Sequence, residues 1–115
     1  MRNKIKMKLI NNYVDIYKII FACKFILNSN QNTNENELAL STLNDTLKLK
    51  NSYEQIFHKL KIADTSFLLL KRDLDHAIQV IPDKNYKPRT LINMIEMKKE
   101  ISKTLDDVLL NHLSI

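Results

Sequence analysis

One stretch constrains this chain more than any other. Tyr53, Ile56, Leu60, Ala63, Phe67, Leu70, Leu74, Ala77 and Ile81 follow one another at alternating spacings of three and four, and every one is apolar. That alternation keeps all of them on one side of an α-helix, and sustained over four repeats it is the pattern of a heptad seam. A seam of that length has to be covered, by the chain's own helices or by another chain.

Around it the sequence divides into helical segments. The first is expected at about 4–27, where Tyr13, Ile16, Tyr17, Ile20, Cys23 and Leu27 recur three or four apart and Ile10, Val14 and Phe21 widen the stripe. Residues 28–36 hold no apolar side chain, and their Asn and Ser favour loops and caps, so they read as a linker with Asn34 or Asn36 capping the next helix. The second segment covers about 37–81. Upstream of the seam, Leu40, Leu43 and Leu47 are also spaced three and four but out of phase with it, which predicts a bend or short break near Asn51. The periodicity leaves open whether 37–81 is one helix or two. Pro82 stops the segment, 82–87 form a loop, and Pro88 suits the first turn of a last helix at about 88–113. That helix carries Leu91, Met94, Ile95, Met97, Ile101, Leu105, Val108, Leu109 and Leu113 as its stripe.

The chain has 115 residues, room for a single helical domain, and contains no Gly. β-Hairpins rely on residues that tolerate positive φ, so the absence of Gly argues for few connections and long helices. The expected fold is all-α: amphipathic helices in a bundle or coiled coil, assembled with partner chains.

Little in the sequence suggests catalysis. His58, His76 and His112 have no His or Cys at metal-ligand spacing. Asp73/Asp75 and Asp106/Asp107 are too close in sequence to share a helix face. Cys23, the single cysteine, falls on an apolar stripe, where a thiol is inert; it can form no internal disulfide, and a reducing compartment suits it. Glycine-rich phosphate loops are impossible. The expectation is a protein that is not an enzyme, with no cofactor, metal or small-molecule substrate.

The N-terminal lysines followed by Ile20-Phe21-Ala22-Cys23 resemble a lipoprotein signal, but Asn11, Asn12, Asp15 and Lys18 interrupt the apolar run such a signal needs. No stretch has the roughly 20 apolar residues of a transmembrane helix. The net charge of +5 admits an acidic partner, yet the lysines are scattered and not interleaved with aromatics, so nucleic acid is disfavoured.

The run Ser66 to Asp75 resembles the signature of the KxDL-motif family, with Lys71, Arg72, Asp73 and Leu74 as the motif itself. Tyr53, Ile56, Leu60 and Phe67 stand in a compatible phase upstream, and Val14-Asp15-Ile16 is similar to part of that family's first helix. The resemblance implies a cytoplasmic coiled-coil subunit bundled with similar helical chains, in a complex peripheral to lysosomes or endosomes. Leu74 would then be a seam residue, with Lys71 and Asp73 the flanking charges that select partner and register. The reading is therefore a helical interaction subunit or adaptor whose partner-binding surface is the Tyr53–Ile81 seam. Two alternatives stand beside it: a small bacterial helical chaperone or immunity protein with one cognate target, and a basic nucleic-acid-binding helical protein.

Overall fold

A computed structural model describes residues 3–29, 33–79 and 91–112. They form four helices and no strand: α1 (Asn3–Ser29), α2 (Thr33–Lys59), α3 (Thr65–Ala77) and α4 (Leu91–His112). The fold is an all-α bundle. α1 continues to Ser29 and α2 starts at Thr33, both into the expected linker, so most of the Asn-rich stretch is helical and neither Asn34 nor Asn36 is a cap; α2 ends at Lys59, well before the expected 81. Ile81, Pro82, the 82–87 loop, Pro88 and Leu113 lie outside the described residues.

α1 is the central helix. Its buried face is broader than one stripe, because Leu9, Tyr13, Ile16, Tyr17, Ile19, Ile20, Ala22, Cys23 and Ile26 are all covered. A face that wide packs against several neighbours. α2 runs antiparallel to it: Asn12 meets Tyr53, Tyr13 meets Glu54, and Ile26 shares a cluster with Ala39. α3 turns back alongside α1, with Tyr13 against Phe67 and Tyr17 against Asp75. α4 descends beside α2, with Lys98 at Asp45 and Ile101 at Tyr53.

α2 passes through Asn51 without a break, contrary to the expected bend. The phase shift is removed by two residues that do not look apolar. Thr42 and Thr46 are buried, and Ala39, Thr42, Thr46, Leu49, Tyr53, Ile56 and Leu60 continue the seam backwards in a single phase. The two threonines follow Ala39, which shares a buried cluster with Ile26 of α1. The Thr46 hydroxyl donates to the Thr42 carbonyl at 2.6 Å, so its burial leaves no polar atom unsatisfied. Leu40 and Leu47, which suggested the other phase, are 49% and 40% exposed, and Leu43 is half-buried.

The break falls instead in the middle of the seam. α2 closes with two hydrogen bonds, from Lys61 N–H to the His58 carbonyl (3.1 Å) and from Ile62 N–H to the Phe57 carbonyl (2.9 Å). Lys61 has φ 59°. That left-handed residue just past a helix end is normally Gly, and for Lys it costs roughly 1 kcal/mol. Ile62 is buried against the end it closes. Asp64 then caps α3: its backbone is extended and its carboxylate accepts from Phe67 N–H at 2.9 Å. The same bond, with Lys6 at 3.6 Å, holds the Asp64 carboxyl below the usual range.

Candidate functional site

The break decides the fate of the seam. Tyr53, Ile56 and Phe67 are buried, Leu60, Ala63, Leu70 and Leu74 are half-buried, and Ala77 is exposed. The covering side chains are the chain's own. Once α3 folds back, Phe67 and Leu74 of the second half pack on the same core as Tyr53 and Ile56, while Leu70 is half-buried outside that cluster and Ala77 is exposed. At the centre of that core, Phe57 lies edge-on to Phe67 at 4.6 Å and to Tyr13 at 5.3 Å, and Tyr53 flanks it at 6.2 Å.

α3 has one buried residue, Phe67, and beyond it is held by a polar cluster built from three helices. Tyr13 Oη donates to Glu54 Oε2 at 2.5 Å and Tyr17 Oη to Asp75 Oδ1 at 2.5 Å. Lys50 reaches Glu54 at 3.0 Å and Asp75 at 3.9 Å; Lys71 reaches Asp75 at 2.7 Å and Glu54 at 3.7 Å. Two ammonium groups and two carboxylates therefore neutralise one another across α2 and α3. The two phenol oxygens are 3.0 Å apart, and each phenol has one proton, already given to a carboxylate. Burial, and then the bond to Glu54, raises the Tyr13 hydroxyl far above its ordinary value; burial and the Asp75 bond raise Tyr17 likewise. Burial alone would raise the Asp75 carboxyl, but Lys71, Tyr17 and Lys50 together outweigh it and hold the group low, while Asp75 in turn raises Lys71.

Lys71 is half-buried and pairs with Asp75 and Glu54 of its own chain. Asp73 stays on the surface, 3.5 Å from Arg72. Sequence periodicity missed this cluster. Its traces were the i,i+4 pairs Lys50/Glu54 and Lys71/Asp75 and the two tyrosines on an apolar stripe, since a buried phenol needs a hydrogen-bond partner.

A concavity among the described residues lies between α2 and α4. It is a groove of about 500 Å³ with Leu49 on its wall, Ser52 and Ser102 beside it, and Lys48, Lys98, Lys99 and Lys103 around Asp45 and Asp106. Lys98 is occupied by Asp45 at 3.0 Å and Lys99 by Glu96 at 3.4 Å. Lys48 and Lys103 make no ion pair with any described residue, so the groove carries net positive charge.

Other candidate chemistry stays dispersed. His58 and His76 are exposed, and no group of three or more metal-ligating side chains occurs among the described residues. Asp106 and Asp107 are both exposed. Cys23 is fully buried, and burial pushes its thiol up to about 11, so it carries negligible thiolate at neutral pH. Among the described residues no helix is long and apolar enough to cross a membrane. The chain matches no protein-family model, no curated protein and no solved structure.

Proposed function

We propose that this chain is a non-enzymatic helical binding protein, which closes its own core and takes an acidic protein partner in the groove between α2 and α4. The observation that carries this reading is the pair Lys48 and Lys103, two cations of a 500 Å³ groove without an ion-pair partner among the described residues. Cations placed around a groove favour a partner that brings carboxylates, and they raise the rate at which such a partner is met. A bundle of this kind fits a protein with one cognate target better than a subunit that folds only within an assembly, because Tyr53, Ile56 and Phe67 of the seam are buried within the chain itself. Membership of a lysosome- or endosome-associated complex is a narrower form of the binding reading, and only the Lys71–Leu74 string supports it.

The test is retention. The partner that co-purifies with the native chain is identified, and its binding is measured against Lys48→Glu/Lys99→Glu/Lys103→Glu, a variant of exposed or half-exposed positions that keeps the helical signal. The expected result is at least tenfold weaker binding of an acidic partner. Undiminished binding overturns the assignment of the groove. Tight binding of a short DNA duplex, falling steeply with salt, replaces the protein partner with nucleic acid.

A further inference from the structure

The break between α2 and α3 interrupts a pattern that does not itself break. From Ala39 through Leu60, Ala63 and Phe67 to Ala77 the spacing alternates three and four without a fault. A helix drawn straight through the hinge would carry all of these residues on one side. The hinge, 60–64, contains neither Gly nor Pro, so every residue in it can be helical. The folded-back form instead holds Lys61 at φ 59°, a region that favours Gly, and ends one helix to start another.

Among the described residues, α3 and α4 are fastened to elements before the hinge. α3 rests on Tyr13, Tyr17, Glu54 and Phe57, and α4 on Tyr53 and Asp45. α3 is also loosely seated, with Phe67 its one buried side chain.

From this we propose that the chain exchanges its C-terminal half with a second copy of itself. The hinge becomes helical, α2 and α3 join into one helix over 33–77, and α3 and α4 of each chain seat on α1 and α2 of the other. Every contact outside the hinge is kept, so the two forms differ in the hinge alone, which makes such an exchange energetically close to the monomer. A second copy is the occupant because it alone presents Tyr13, Tyr17, Glu54 and Phe57 in the arrangement α3 already fits. The two-fold related copy also receives α3 at the end of the bundle where its own α3 begins. The proposal is independent of the α2–α4 groove reading.

The test refolds the full chain at low and high concentration and reads the monomer–dimer ratio by size exclusion with light scattering. Asp64→Ala removes a cap that only the folded-back form has, and shifts the ratio toward dimer by about tenfold or more; Asp64→Glu, a weaker cap in a better helix former, gives the same push with the charge kept. Lys61→Gly relieves the positive φ and weakens the joined helix, and shifts the ratio about tenfold or more toward monomer. Isotope-labelled and unlabelled chains are then refolded together and treated with a carbodiimide, which joins Lys98 to Asp45 across their 3.0 Å bridge. In the exchanged dimer this link joins labelled to unlabelled chains. A dimer linked only within chains, or Asp64 variants that stay monomeric at every concentration, overturns the proposal. The groove variant Lys48→Glu/Lys99→Glu/Lys103→Glu leaves the ratio unchanged, so failure of the binding reading and failure of this one are distinguishable.

Discussion

α2 and α3 are both fastened to α1, and by opposite means. Where the start of α2 crosses the end of α1, the packing is buried: Ala39 clusters with Ile26, Thr42 and Thr46 are covered, and the hydroxyl of Thr46 is satisfied within its own helix. Where α3 meets α1 lower down, one phenylalanine enters the core and the remaining ties are phenols, carboxylates and ammonium groups that are partly open to water. The first interface draws on apolar burial, which is indifferent to ionisation. The second depends on specific protonation states and on unscreened charge. The chain is therefore built with a permanent half and a conditional one.

The experiments that press hardest on this contrast are in the core both halves share. Phe57→Ala removes a fully buried ring that touches Tyr13, Tyr53 and Phe67, and is expected to cost about 3–5 kcal/mol in urea unfolding. Phe67→Ala should cost somewhat less, about 3 kcal/mol, with a local signature. Hydrogen exchange should lose protection in α3 while α1 and α2 keep theirs; uniform loss along the chain would erase the distinction between the halves. Glu54→Gln leaves Lys50 and Lys71 with one carboxylate between them and is expected to cost about 1–3 kcal/mol. That difference from the native chain should shrink as salt is added.

The pH response follows from the same cluster. Asp75 has a lowered pKa in the fold, so the stability it contributes is present above the ordinary aspartate value and is lost as pH falls through the folded one. Melts taken from pH 7 down to below about 4 should show α3 loosening first, and Asp75→Asn should flatten that dependence. Tyr13 and Tyr17 have raised values, so their contribution is full below about pH 10 and is lost as pH rises beyond it. The smallest effect is expected at Leu40→Ser/Leu47→Ser: both side chains are well exposed, and each change should stay within about 0.5 kcal/mol. A large loss there would mean that something covers this stripe.

Much of the fold was legible in the sequence, and the failures have physical causes. Helical type, the apolar face of α1 and the stripe of α4 follow from spacing, except that Leu109, counted in that stripe, is 41% exposed. The phase of α2 was misread because leucines were weighted by hydrophobicity alone, whereas a threonine whose hydroxyl is satisfied within its own helix can be buried, as Thr46 is, and Leu40 and Leu47 are exposed. The break was misplaced for a related reason. Its signal was Asp64, a strong N-cap residue standing inside an unbroken apolar rhythm, and the rhythm reports which side chains share a face, not whether the backbone between them is continuous. The polar seat of α3 needed side chains distant in sequence, Tyr13 with Glu54 and Tyr17 with Asp75, and no local pattern pairs them.

Cys23 gives the permanent half a clock of its own. Its sulfur is sealed between helices and its proton is held to about pH 11, so a thiol-reactive dye in neutral buffer can label it only when that interface opens. Under excess dye the labelling rate counts those openings directly, one molecule at a time, with no label added to the chain by design.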